Sequence, residues 1–287
     1  MPSRPLCEVF GHPINNFSPE SISAREDSLC PFNNKIPRCT KDKSANPLGV
    51  CSTFENGDPI IICPIRFREN WRIINDVSAF LLPGVEDYKF LTEVTMKDRD
   101  GEEVGSVDGV LVNYSGGEVI DFGVLEIQAV YISGNIRNPF AYYMENPTRA
   151  ATELWNGDNP PRPDWLSSVK RLVRQITVKG VVLQDWGKKM AIAVQRQFYS
   201  NHLLMLQGIN TVSPEEADLC WYLYDLVANS ENNGYNLVLL EQVCMKFDDA
   251  LERFSSTKSG DIRDFTAILR DKVQRELRRN ARPAQLF

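Results

Sequence analysis

The order of apolar and polar positions divides the chain into four stretches. Residues 1–28 are polar and carry Pro2, Pro5, Pro13 and Pro19, which predicts irregular backbone or one short helix. Residues 29–72 have little periodicity and many turn residues, and read as a small loop-rich module. Residues 73–135 begin with a short apolar stretch and then become strand-like. VDGVLVNY (107–114) and EVIDFGVLEIQAVYIS (118–133) are rich in β-branched and apolar residues. Ser115-Gly116-Gly117 between them is a hairpin signal.

Downstream the pattern turns helical. NGDNPPRP (156–163) is a Pro/Gly loop, and Asp164 is placed to cap a helix beginning DWLSSVKRLVRQI. Residues 187 to about 206 read as a second, basic amphipathic helix. Ser213-Pro214-Glu215-Glu216 resembles a capping-box start with proline in the first helical position. YNLVLLEQV (235–243) is strand-like. Residues 260–280 predict a last helix, with Asp261 and Asp264 early and arginines late, as the helix dipole favours. There are no repeats or low-complexity tracts. The coarse class is α/β or α+β around a central sheet, with a division at residues 1–72 and 73–287.

Composition adds little: 287 residues, 43% apolar, 24% charged, mean hydropathy −0.30, an ordinary globular balance. The longest apolar stretches reach roughly half a bilayer crossing, which excludes a transmembrane helix. MPSRPLCEVFGH has no apolar signal core, so a cytoplasmic location without membrane partners is expected.

Charge is uneven. The net charge is −6, yet residues 84–126 hold eleven acidic and three basic residues, and residues 162–197 hold eight basic and two acidic. Residues 270–282 add six basic against two acidic. An acidic block followed by basic blocks fits a metal-binding carboxylate site beside a phosphate-binding surface; solvated helix faces are the equal alternative.

Two clusters carry candidate chemistry. Cys30, Cys39, Cys51 and Cys63 have 8, 11 and 11 residues between them. Four thiolates complete a tetrahedral set for one metal ion, which would stabilise a segment too polar to build its own core. Buried free cysteines are the alternative. Cys7, Cys220 and Cys244 read as packing residues. The second cluster is Asp108 on the first hairpin strand with Glu126 and Gln128 on the second. Side chains alternate along a strand, so Glu126 and Gln128 face the same way and Ile127 faces the other. Two carboxylates on adjacent strands are a minimal site for a hard divalent cation such as Mg²⁺. The pattern is D…(D/E)-x-K with glutamine in the lysine position. Glu93, 15 residues before Asp108, is a candidate additional carboxylate. Gly180–Lys189 lacks the spacing of a phosphate-binding loop, and Cys220 with His202 has no motif to make it a nucleophile pair.

Taken together, these clusters resemble the NotI/EagI family of type II restriction endonucleases. The matching residues are Glu8-Val9-Phe10-Gly11-His12, Cys30-Pro31-Phe32, Cys39, Gly49-Val50-Cys51, Ile62-Cys63-Pro64 with Arg66, then Asp108, Gly123-Val124-Leu125-Glu126-Ile127-Gln128 and Ile132-Ser133-Gly134. Beyond about residue 140 the likeness rests mainly on a lysine-rich helix and Gln195-Arg196-Gln197-Phe198-Tyr199. The resemblance implies an α/β PD-(D/E)xK core, a mixed central sheet flanked by helices, with a loop-rich four-cysteine module before it. It implies catalytic roles for Asp108, Glu126 and Gln128, with Glu93 as an additional acidic residue, and Mg²⁺ on Asp108 and Glu126. It also implies one iron, or zinc, on the four cysteines.

The activity it implies is Mg²⁺-dependent double-strand cleavage of a palindromic GC-rich site built around GGCC, by a homodimer accompanied by a cognate DNA methyltransferase. Residues 162–197 and the cysteine module, with Arg38, Lys41 and Lys43, are the expected DNA-contacting regions. Two other readings stay open at this point. One is a metal-stabilised DNA-binding protein without catalysis, and the other a repair nuclease of the same fold that recognises DNA structure.

Overall fold

The computed structural model describes residues 4–34, 36–43, 45–231, 233–256 and 261–280. Strands β1 (Leu6–Val9) and β2 (His12–Pro13) lead into helix α1 (Pro19–Glu26), whose first turn is capped by the Ser18 hydroxyl accepting from Ser21 N–H. The cysteine-bearing stretch holds the short pair β3 (Asp42–Lys43) and β4 (Asn46–Pro47), then β5 (Val50–Glu55) and β6 (Asp58–Ile61). Strands β2-β1-β5-β6 form one four-stranded sheet. A 3₁₀ segment, Pro64–Trp71, precedes α2 (Arg72–Leu81).

Next come β7 (Lys89–Lys97), β8 (Glu103–Ser115) and β9 (Glu118–Gln128), then β10 (Tyr131–Ser133), α3 (Arg137–Glu145), α4 (Pro147–Thr152) and β11 (Arg162–Asp164). Helix α5 (Trp165–Asp185) crosses back to β12 (Met190–Gln195). Strands β13 (Leu219–Asn229) and β14 (Gly234–Met245) precede α6 (Phe247–Ser255) and α7 (Ile262–Asn280). The central sheet has six strands in the order β14-β13-β12-β9-β8-β7. Strand β12 runs parallel to β9 and β13, while β7-β8-β9 and β13-β14 are antiparallel, so the sheet is mixed.

The anticipated hairpin forms. Ser115 pairs with Glu118, leaving Gly116-Gly117 as a two-residue loop with φ of 62° and 91°. Tight turns of this kind need positive φ, which glycine adopts without a Cβ penalty. The strand signal at 235–243 and the late helix also appear, as β14 and α7; residue 260 lies outside the described residues.

Two expected helices do not form. Residues 190–195 are the strand β12, every residue buried, and only short helical turns follow at Phe198–His202 and Leu204–Leu206. A parallel strand flanked on both sides must be apolar on both faces, so it carries no alternation to betray it. Met190, Ile192 and Val194 pack with Leu172, Ile176 and Leu183 of α5. Ala191 and Ala193 pack on the opposite face with Ile73, Val77 and Leu81 of α2. The Ser213–Glu216 signal ends as a single hydrogen-bonded turn, in which Glu216 N–H donates to Ser213 O at 3.1 Å. It is followed by β13, whose Trp221 and Leu223 face α5 and whose Tyr222 and Tyr224 face α2. Cys220 and Cys244 stand opposite each other on β13 and β14 and form a disulfide, so they do more than pack.

Two buried polar links tie the N-terminal sheet to the central one. Gln195, at the end of β12, accepts from Ile61 N–H at 2.9 Å and donates to Pro59 O at 2.6 Å and Asp225 Oδ1 at 2.9 Å. Arg66 is wholly buried. It donates to Glu8 at 3.1 Å, Glu69 at 2.6 Å and Tyr235 O at 2.8 Å, with the Phe32 ring 4.2 Å from its guanidinium carbon. Helix α7 lies outside the core and leaves Ile262, Phe265 and Leu277 exposed. Among the described residues no helix is long and apolar enough to cross a membrane.

Removing Arg66 leaves Glu8, which has no exposed surface, as an unpaired buried charge. Arg66→Met is expected to lower unfolding free energy by about 3–5 kcal/mol, read by denaturant titration. A change below about 1 kcal/mol would show that the link is not structural.

Candidate active site

Strands β8 and β9 bring Asp108 and Glu126 together. Both lie one residue beyond the Gly109–Leu125 pair. One Asp108 carboxylate oxygen accepts from the backbone N–H of Ile127 at 2.8 Å, which holds it against β9. Glu126 is 1% exposed and points toward α5, with Val124 two residues earlier in the same packed cluster. Burial, and then the nearby Asp108 charge, push the Glu126 carboxyl up to about 7. Burial also raises Asp108, against the Ile127 hydrogen bond and the positive charges of Lys179, Arg68 and Arg171. Two carboxylates destabilised in this way by burial are an oxygen donor set that favours a hard divalent cation.

The structure adds a group that the motif lacks. Lys179 projects from α5 and donates to Glu126 Oε1 at 2.7 Å and to Ser106 O at 2.6 Å. Both side chains of this ion pair are 2% exposed. Gln128 is buried on the same strand face as Glu126, but its amide donates to the carbonyl of Ala129. Glu93 stands apart. It lies on the edge strand β7 between the Thr92–Gly109 and Val94–Val107 pairs, exposed, with φ of 58°.

The start of α5 is tied to the exit of β9. Asp164 caps the helix by accepting from Ser167 N–H at 3.1 Å. Ser168 Oγ accepts from Tyr131 N–H at 2.9 Å and donates to Asp164 O at 2.7 Å. Asp164 and Tyr131 are themselves paired across β10 and β11. Lys170, Arg171 and Arg174 lie exposed along the first turns of α5, and Arg171 sits 5.6 Å from the Tyr131 ring. Lys188, by contrast, is engaged by Asp121 at 2.6 Å.

The four cysteines converge. Cys30, Cys39, Cys51 and Cys63 are all buried, unbridged, and line one small cavity with Phe10 and Phe32. Burial raises the thiols of Cys30, to about 11, and of Cys39 and Cys51, and charge on Cys63 would raise all three further. As placed, Cys39 Sγ is 3.9 Å from Leu48 O and Cys51 Sγ 3.8 Å from Gly49 O. Among the described residues no three His, Cys, Asp or Glu side chains stand at metal-coordinating separation. Lys41 is part-buried in this module and donates to Val50 O and Ile62 O at 2.9 Å each, so two of its three donors serve the fold.

The chain matches the family model for restriction endonuclease NotI over residues 8–237. The chain belongs to the NotI restriction endonuclease family. No curated protein sequence gives a significant match. The protein is therefore a site-specific deoxyribonuclease of the type II restriction class, with DNA as its substrate. The family match includes the four cysteines, Asp108, Glu126, Gln128 and Lys179, and ends before α6 and α7.

Lys179 was hidden within a basic stretch. Its signal is positional: it continues the buried stripe Leu172, Ile176, Lys179, Leu183 at helical spacing. A lysine is rarely buried unless it is paired.

A divalent cation held by Asp108 and Glu126 must displace the proton that Glu126 carries below about pH 7. Affinity should therefore rise with pH and level off above this value. Mn²⁺ titrations without DNA, followed by electron paramagnetic resonance, should show roughly tenfold tighter binding at pH 8 than at pH 6. Equal affinities would contradict the assignment.

Proposed function

We propose that the protein makes Mg²⁺-dependent double-strand cuts at a palindromic GC-rich site with a GGCC core, acting as a homodimer. The observation that carries the cleavage chemistry is half-buried Asp108 beside buried Glu126 on adjacent strands, with a lysine ammonium against Glu126. The two carboxylates are the proposed Mg²⁺ ligands; bound there, the ion would supply charge neutralisation at the phosphate and acidify a water. Asp108 is kept on β9 by the Ile127 N–H, and Glu126 is oriented by Lys179, so neither carboxylate has to reorganise as DNA arrives. Gln128 serves as a neutral polar neighbour and brings no charge.

In the reaction, water oxygen bonds to phosphorus and the P–O3′ bond breaks. The electron pair leaves with O3′, which takes up a proton, giving 5′-phosphate and 3′-hydroxyl ends. Glu93 on the edge strand is a candidate for contacting the incoming strand or its bound ion. A palindromic site matches a two-fold dimer, in which each protomer cuts one strand. Exposed Lys170, Arg171 and Arg174 supply phosphate contacts, and arginine paired to guanine edges supplies G·C specificity. A cognate methyltransferase would protect the host's own copies of the site.

The chemistry of the cysteine cavity fits a thiolate-binding metal: four thiols line one space, and burial holds Cys30, Cys39 and Cys51 against ionisation until a cation arrives. Cys30, Cys39, Cys51 and Cys63 are the proposed ligands of one iron or zinc ion, which would supply rigidity to the segment linked to the central sheet by Arg66.

Digestion of unmethylated phage DNA tests the reading. Discrete fragments that need Mg²⁺, vanish with EDTA and are absent with Glu126→Ala are expected. Retention of DNA without cleavage would leave a binding protein, and cuts only at flaps or mismatches would leave a structure-specific nuclease. The same preparation should carry one iron or zinc per chain; a folded protein with neither would refute the cysteine assignment.

A further inference from the structure

We propose that Lys179 is the lysine of this active site: α5 delivers the positive charge that the strand position occupied by Gln128 does not. The inference rests on Asp108 and Glu126 forming the cleavage centre and adds a residue that acts with them.

Three observations carry it. First, Lys179 Nζ meets the key carboxylate directly, at 2.7 Å from Glu126 Oε1. Its second donor goes to Ser106 O at 2.6 Å, two residues before Asp108 on β8. An ammonium has three donors. The remaining one is therefore left for a water or a phosphate oxygen beside the two carboxylates. Second, the strand position is engaged elsewhere, because the Gln128 amide donates to Ala129 O.

Third, the surroundings are built to hold a lysine at this point. An α-carbon substituent at Gly180 would stand 2.0 Å from the Phe247 ring, so α5 and α6 touch backbone to ring directly beside Lys179. Across from it, Gly105 has φ of 121° and its missing Cβ would sit 3.6 Å from Lys179 Cε, so the lysine stem lies along bare backbone. A purely structural role accounts for this less well. A buried ion pair generally contributes less than well-packed apolar residues of similar volume would, so stability alone gives no reason to keep one on a leucine and isoleucine stripe.

Lys179 acts as a positioning residue toward Glu126 and as the fixed positive charge of the site. It orients the carboxylate and offers its third N–H to the reacting phosphate or the attacking water. Glutamine at position 128 is then a consequence rather than a defect: a second lysine there would crowd another cation against Lys179.

Relocating the charge is the test. Lys179→Met, Gln128→Lys and the double variant are compared with wild type for melting temperature, for DNA retention in Ca²⁺, and for cleavage in Mg²⁺. Lys179→Met is expected to fold and to retain DNA, and to cleave about 100- to 1,000-fold more slowly, the usual cost of losing one preorganised electrostatic group. Lys179→Met combined with Gln128→Lys is expected to regain at least tenfold, because the charge returns from the strand. Rescue of this kind separates the proposal from a packing role.

Lys179→Met cleaving within tenfold of wild type would overturn it. So would a folded double variant no faster than Lys179→Met. If Lys179→Met does not fold, the double variant decides alone: measurable cleavage supports the proposal, and its failure to fold or to cleave assigns Lys179 to the core. Absence of cleavage by wild type, or cleavage by Glu126→Ala, would instead defeat the underlying reading of the carboxylates.

Discussion

A fully buried ion pair between Lys179 and Glu126 sets the geometry around it. Its two partners come from elements far apart in sequence, a helix and the strand it crosses over. Removing either leaves the other as an uncompensated buried charge, a cost of several kcal/mol. The pair therefore fixes the rotation of α5, and α5 in turn covers the face of the sheet that carries Val124, Ile192 and Trp221. At its start α5 is held to the end of β9 through Asp164, Ser168 and Tyr131. Near its end it is held to α6 through Gly180 and Phe247. Asp108 completes the site from the neighbouring strand. Glu126 is left in tension between a like charge and an ammonium, which makes it receptive to a divalent ion.

The N-terminal segment is joined to this centre by directional polar contacts as much as by apolar burial. Gln195 satisfies backbone groups of β6 while standing at the end of β12, and Arg66 gathers Glu8, Glu69 and the Tyr235 carbonyl. Such contacts specify one docking arrangement, because a shifted arrangement would strand buried donors and acceptors. The four cysteines lie in this segment, with Lys41 bridging β5 to the residue after β6. A segment held this firmly can present exposed groups such as Arg38 and Lys43 at a fixed distance from Asp108 and Glu126.

The legible features were those governed by short-range rules. The Gly116-Gly117 turn needs positive φ, and the one-residue spacing of Glu126 and Gln128 follows from the alternation of a strand. The capping role of Asp164 is likewise local. Cys30, Cys39, Cys51 and Cys63 stand out as a set by their number and spacing, although the stretch is less polar in the fold than it reads: Cys30, Cys39 and Cys51 pack in one cluster with Phe32, Leu48, Val50 and Ile60. What escaped depends on contacts between distant elements. Met190–Gln195 is apolar on both faces because helices cover both, and that looks the same as a buried helix when read one residue at a time. Cys220 and Cys244 become a disulfide only once β13 and β14 align them. Lys179 becomes notable only when the helix it lies on is seen to bury that side against Glu126.

The central claim is that Asp108 and Glu126 hold the cleavage metal beside Lys179. The most direct measurement is anomalous diffraction from crystals of the protein with uncleaved cognate DNA and Mn²⁺. The account predicts a manganese peak bonded to both carboxylates and to a phosphate oxygen, with Lys179 Nζ remaining within hydrogen-bond reach of Glu126 or of that phosphate. A peak elsewhere on the sheet, or DNA bound with its phosphates remote from Glu126, would contradict it.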